Sequence, residues 1–90
     1  MNNFDFYKRA DEIRNKLSSI GLSEWTEQIN DAISGGSMAG EILMALRWIF
    51  QELKRSGADL SESLLSQIDD FIEHVNRVYP IDSKSGDRTS

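Results

Sequence analysis

None of the 90 residues is cysteine, so the chain can form no disulfide, thiol nucleophile, or cysteine-ligated zinc or iron–sulfur site. Packing alone must hold it together. A single proline, Pro80, leaves nearly the whole chain open to helix. No apolar run approaches the ~18 residues that a membrane span needs, and Met1 to Tyr7 lack the basic start and apolar stretch of a signal peptide. These absences point to a soluble, cytoplasmic protein with no membrane partner. Basic residues are also in deficit: ten Lys+Arg stand against 15 Asp+Glu, a formal charge of −5. That sign argues against nonspecific binding to DNA, RNA or anionic lipid, and makes any charged partner basic. The length leaves room for one core and excludes a multidomain enzyme.

What the chain does have is apolar spacing near 3.6 residues, which marks helices with one buried face. Phe6, Ala10, Ile13, Leu17 and Ile20 fall within roughly an 80° arc, and Gly21 supplies a stop. Ser23 is placed to cap a second, shorter helix carrying Trp25, Ile29, Ala32 and Ile33, which Gly35–Gly36 terminates. Ser37 is expected to cap a third, whose Ile42, Leu43, Leu46, Ile49, Phe50 and Leu53 form a broad stripe ending near Gly57. Asp59 with Glu62 resembles a capping box before Leu64, Leu65, Ile68, Phe71, Ile72, Val75, Val78 and Tyr79, and Pro80 closes that helix. No alternation long enough for a buried strand occurs, and no repeat. The expected fold is all-α: a compact antiparallel bundle of about four helices, three long and one short, in one domain over residues 1–80. Residues 81–90 lack a periodic apolar set and are expected to form a disordered, flexible polar tail.

Motifs that could carry chemistry mostly fail on inspection. Gly35 and Gly40 have the separation of a phosphate-binding loop, but Glu41 stands where that motif needs lysine. The segment reads as a connector. His74, the only histidine, follows Asp70 by one turn, yet two ligands do not make a metal site, and residue 71, where a di-iron bundle needs glutamate, is Phe71. A boundary or surface histidine is expected. The serines fall at caps and loops, and the carboxylates fall on outward helix faces where burial cannot raise a pKa. No enzyme activity, metal or cofactor is expected, and only Asp70 and His74 would motivate one.

The surface is more informative. Residues 22–34 carry Glu24, Glu27 and Asp31 with no basic residue, and residues 58–80 carry five acids against Arg77 alone. At about 100° per residue Glu24, Glu27 and Asp31 share roughly 60°, and Glu62, Asp69 and Glu73 share roughly 40° along ~16 Å of axis. Each set reads either as an ordinary solvated face or as a docking surface for a basic protein. Met44 and Trp48 lie about 160° from Leu46, so the third helix is apolar on two sides. The preferred explanation is a central helix packed on both sides, with Phe4 and Tyr7 available to cover the second. The alternative is an exposed contact for a partner or a second copy.

The segment Gly40-Glu41-Ile42-Leu43-Met44-Ala45-Leu46-Arg47-Trp48, after a Gly/Ser loop and before an amphipathic helix, resembles short bacterial helical proteins. Among these are immunity proteins that neutralise toxins of contact-dependent inhibition and related polymorphic systems. The resemblance covers residues 4–80 and rests on architecture and this nonapeptide. It implies a noncatalytic binding protein but assigns no residue; with the charge placement above, the leading expectation is that Glu24, Glu27, Asp31, Glu62, Asp69 and Glu73 engage a basic toxin domain. The competing expectation is a self-associating structural or regulatory module, a homodimer using Met44 and Trp48, with Tyr7, as its apolar contact.

Overall fold

A computed structural model of the chain describes residues 4–36 and 38–79. Among them are four α-helices and no strand: α1 (Phe6–Ser19), α2 (Ser23–Gly35), α3 (Ala39–Arg55) and α4 (Glu62–Val78). The expected all-α bundle is what forms. Its lengths differ from expectation, since α2 has 13 residues and α1 only 14, while α3 and α4 have 17 each. There are two shorter and two longer helices.

Each helix packs chiefly on two others: α1 on α2 and α4, and α3 on α2 and α4. The helices therefore form a ring in which α2 and α4 occupy one diagonal and α1 and α3 the other. Cross-helix pairs fix the directions. Arg47 reaches Asn76 and Lys54 reaches Asp69, so later positions in α3 meet earlier ones in α4. Phe4 stacks on His74 and Lys16 bonds Gln67, which makes α1 antiparallel to α4 as well.

Local chemistry explains most helix ends. Asp5 caps α1 by accepting from Lys8 N at 3.1 Å. At the other end Gly21 takes φ +84°, Leu22 N bonds Leu17 O at 2.9 Å and Gly21 N bonds Ser18 O at 3.1 Å. That left-handed turn satisfies two terminal carbonyls. It also removes Ile20 from the apolar stripe, leaving it 50% exposed at the cap. Ser23 is not a cap but the first residue of α2; Leu22 precedes it with no side-chain cap bond, packed on the core where the turn places it. Nor do Asp59 and Glu62 form a capping box. Gly57 at φ +82° ends the turn after α3, Ala58 and Leu60 then pack on the core, and α4 starts only at Glu62. Ser61 is its cap, accepting from Leu64 N at 3.1 Å. The expected Ser37 cap, Pro80 stop and 81–90 tail lie outside the described residues.

The stripes converge as the spacing predicts. Ala10, Ile13 and Leu17 from α1, Ile29 from α2, all six α3 stripe residues, and Leu64, Ile68, Phe71 and Val75 from α4 are buried. Val78, the last residue of α4, departs from its stripe and is exposed, while Tyr79 after it packs on the core. Phe71 is the aromatic centre, edge-on to Phe50 with ring centroids 5.0 Å apart and to Phe6 at 5.6 Å. Among the described residues no buried side-chain N or O lacks a hydrogen-bond partner. The interior has no polar site to explain.

Candidate partner-binding surface

On α2, the apolar face turned inward by Ile29 leaves Glu24, Glu27 and Asp31 on the outside, and all three are exposed. None is in an ion pair among the described residues. Arg14 of α1 reaches α2 but bonds Asn30 Oδ1 there, at 2.9 Å, and is also held by Asp11. Three carboxylates thus line about two turns of helix with no ion pair from within the described bundle.

The α4 strip is different. Glu62, Asp69 and Glu73 are likewise exposed, but Lys54 of α3 pairs with Asp69 and Arg77 pairs with Glu73 at 3.0 Å. Glu62 carries no ion pair among the described residues and sits in the first turn of α4, where the helix dipole favours it. The sequence shows five acids near one base; the fold adds Lys54 and Arg9 to their surroundings from neighbouring helices. Since α2 and α4 are diagonal, the two strips belong to opposite sides of the ring rather than to one plane.

The preferred sequence reading of Met44 and Trp48 as core is corrected. They are 43% and 57% exposed, on the side of α3 that faces away from the bundle. Four helices in a ring give each a single inward face, so nothing remains to pack the second side of α3. Phe4 does not cover it: its ring stacks on His74 with centroids 3.9 Å apart, under the Arg9 guanidinium. Tyr7 does not either, being exposed on α1, the helix diagonal to α3.

Trp48 instead forms one wall of an open groove of about 440 Å³ between α2 and α3, with Gln28, Asp31, Ala32, Ala45 and Ile49. The structure therefore joins Asp31 of the acidic strip to the exposed tryptophan of α3. Sequence reasoning missed this groove. Its alanines, Ala32 and Ala45, lie on different helices, and only the packing of α2 on α3 brings them into one groove.

The remaining candidates are occupied by structural work. His74 Nδ1 donates to the Asp70 carbonyl oxygen at 2.8 Å, while Asp70 Oδ2 accepts from Arg9 Nη1 at 3.0 Å, and Arg9 Nε donates to Glu12 at 3.2 Å. Asp70 and His74 thus form part of a clamp between α1 and α4. Gly40 lies inside α3 with the Tyr79 ring against it; an added Cβ would come within 3.3 Å of the Tyr79 hydroxyl oxygen. Packing of the Tyr79 ring accounts for that glycine. Among the described residues no group of three His, Asp or Glu side chains is arranged to hold a metal, and no helix is long and apolar enough to cross a membrane. Comparison with known protein families, curated proteins and solved structures finds no match.

Proposed function

We propose that the protein is a noncatalytic binding module of the immunity-protein type, acting in the cytoplasm. It neutralises a basic toxin domain by docking it on the acidic face of α2, while the acidic face of α4, on the opposite side of the ring, adds to the attracting field. The observation that carries this reading is the row Glu24, Glu27 and Asp31, exposed and without an ion pair among the described residues. A lysine- or arginine-rich partner meets these charges without first displacing an internal cation. At Asp69 and Glu73 it must compete with Lys54 and Arg77. Such a field acts mainly on encounter rate and is screened over about 10 Å at 0.1 M salt.

The test is to search the neighbouring reading frames for a toxin, whose absence counts against the reading, and to measure stopped-flow association with its purified domain at several salt concentrations. Reversing Glu24, Glu27 and Asp31 to lysine is expected to slow association roughly tenfold or more and to flatten its salt dependence. Reversing Glu62, Asp69 and Glu73 is expected to act in the same direction but less. Unchanged kinetics in both triple variants would remove the acidic faces from the reading.

A further inference from the structure

The outward face of α3 borders the α2 strip at Asp31 but is apolar where Met44 and Trp48 stand. We infer that it is the interface of a symmetric dimer, in which two α3 helices cross antiparallel at Trp48 and each Trp48 ring seats in the other copy's α2–α3 groove. The groove suits an indole. Ala32, Ala45 and Ile49 give it apolar walls, while Asp31 and Gln28 place acceptors at its rim. A buried tryptophan needs both, since its ring is apolar and its Nε1–H must donate to something.

The geometry also selects a second copy rather than another protein. Indole and groove lie side by side on one surface, so a single two-fold axis near Trp48 delivers each to the other, as an isologous contact requires. The outward positions Glu41, Met44, Trp48, Gln51 and Arg55 follow the 3,4 spacing of a helix–helix seam. Glu41 and Arg55 stand seven residues to either side of Trp48, about 10 Å along the axis; Arg55 also bonds Glu52 of its own helix at 2.7 Å and remains largely exposed, so a second carboxylate can share its guanidinium. An antiparallel crossing at Trp48 therefore sets acid opposite base at both ends, whereas a parallel one would set like against like.

Sedimentation equilibrium across a concentration series up to about 1 mM tests the inference on the protein alone. Because no toxin domain is present, its failure is distinguishable from failure of the α2 reading, although Asp31 belongs to both surfaces. The wild-type chain is expected to approach twice its monomer mass as concentration rises. Trp48→Ala, at an exposed position, is expected to keep its helical circular dichroism and to associate roughly thirty-fold more weakly. Arg55→Glu and Glu41→Lys each place like charges across the two-fold, so each alone is expected to lose the dimer, while their equimolar mixture regains it as a heterodimer. A wild-type chain that stays monomeric throughout, or a dimer that survives Trp48→Ala, overturns the proposal. A mixture no more associated than its components overturns the antiparallel crossing. Loss of toxin-domain binding by a monomeric Trp48→Ala variant assigns the face to that other partner instead.

Discussion

Two residues two positions apart on α3 show how much burial matters. Leu46 is fully buried among four helices, and Trp48 is 57% exposed on the outer side of the same helix. Leu46→Ala should cost about 2–5 kcal/mol, from lost transfer energy and the cavity left behind. Trp48→Ala, measured in urea at a concentration where the chain is monomeric, should shift stability by no more than about 0.5 kcal/mol despite removing the larger side chain. Equal losses would put Trp48 in the core after all. Gly21 is a second informative position, since φ +84° is a conformation that a Cβ disfavours. With open space around it, Gly21→Ala should cost roughly 1 kcal/mol through backbone strain alone. Gly35→Ala, in open space inside α2, should not destabilise. Gly21 announced itself in the sequence because a glycine after a periodic apolar stretch is a local signal. The exposure of Trp48 did not, because Met44 and Trp48 show only that α3 has a second apolar side, not whether a neighbour covers it.

Among the helices, α2 holds the least comfortable charge arrangement. Glu27 follows Glu24 by three residues and precedes Asp31 by four, so it makes like-charge pairs in both directions with no internal cation to relieve them. Each such pair costs a few tenths of a kcal/mol. Glu27→Gln should therefore raise unfolding stability by roughly 0.5 kcal/mol while slowing association with a basic partner. A variant that gains stability and loses binding is the signature of a surface kept acidic for docking; loss of stability would show that Glu27 has a structural role. The α1–α4 clamp makes the opposite case. Arg9–Asp70 is partly exposed, and a double-mutant cycle on that pair should return no more than about 1 kcal/mol. The caps of these helices were only partly legible. Asp59–Glu62 has the pattern of a capping box, but the docking of Ala58 and Leu60 on the core delays the helix until Ser61 can cap it.

At the level of the whole molecule, one core shared by all four helices implies a single cooperative unfolding transition. Fluorescence from Trp25, half-buried against that core, and the helical circular dichroism should be lost together on heating Trp48→Ala, which leaves Trp25 as the only indole. Separate transitions would mean that α2 melts alone. The helices themselves could be read from the chain because burying one side of a helix imposes a period of 3.6 residues, a local rule that each stretch of sequence obeys independently. Ring order obeys no such rule. It emerged only when four faces met around Phe71, and that meeting set α2 diagonal to α4, brought Lys54 onto Asp69, and left Met44 and Trp48 outside. Charge along a chain is a property of its residues, but the field at a surface depends on which helices become neighbours. For that reason the sequence could mark two acidic faces, whereas packing left α2 unopposed and partly neutralised α4.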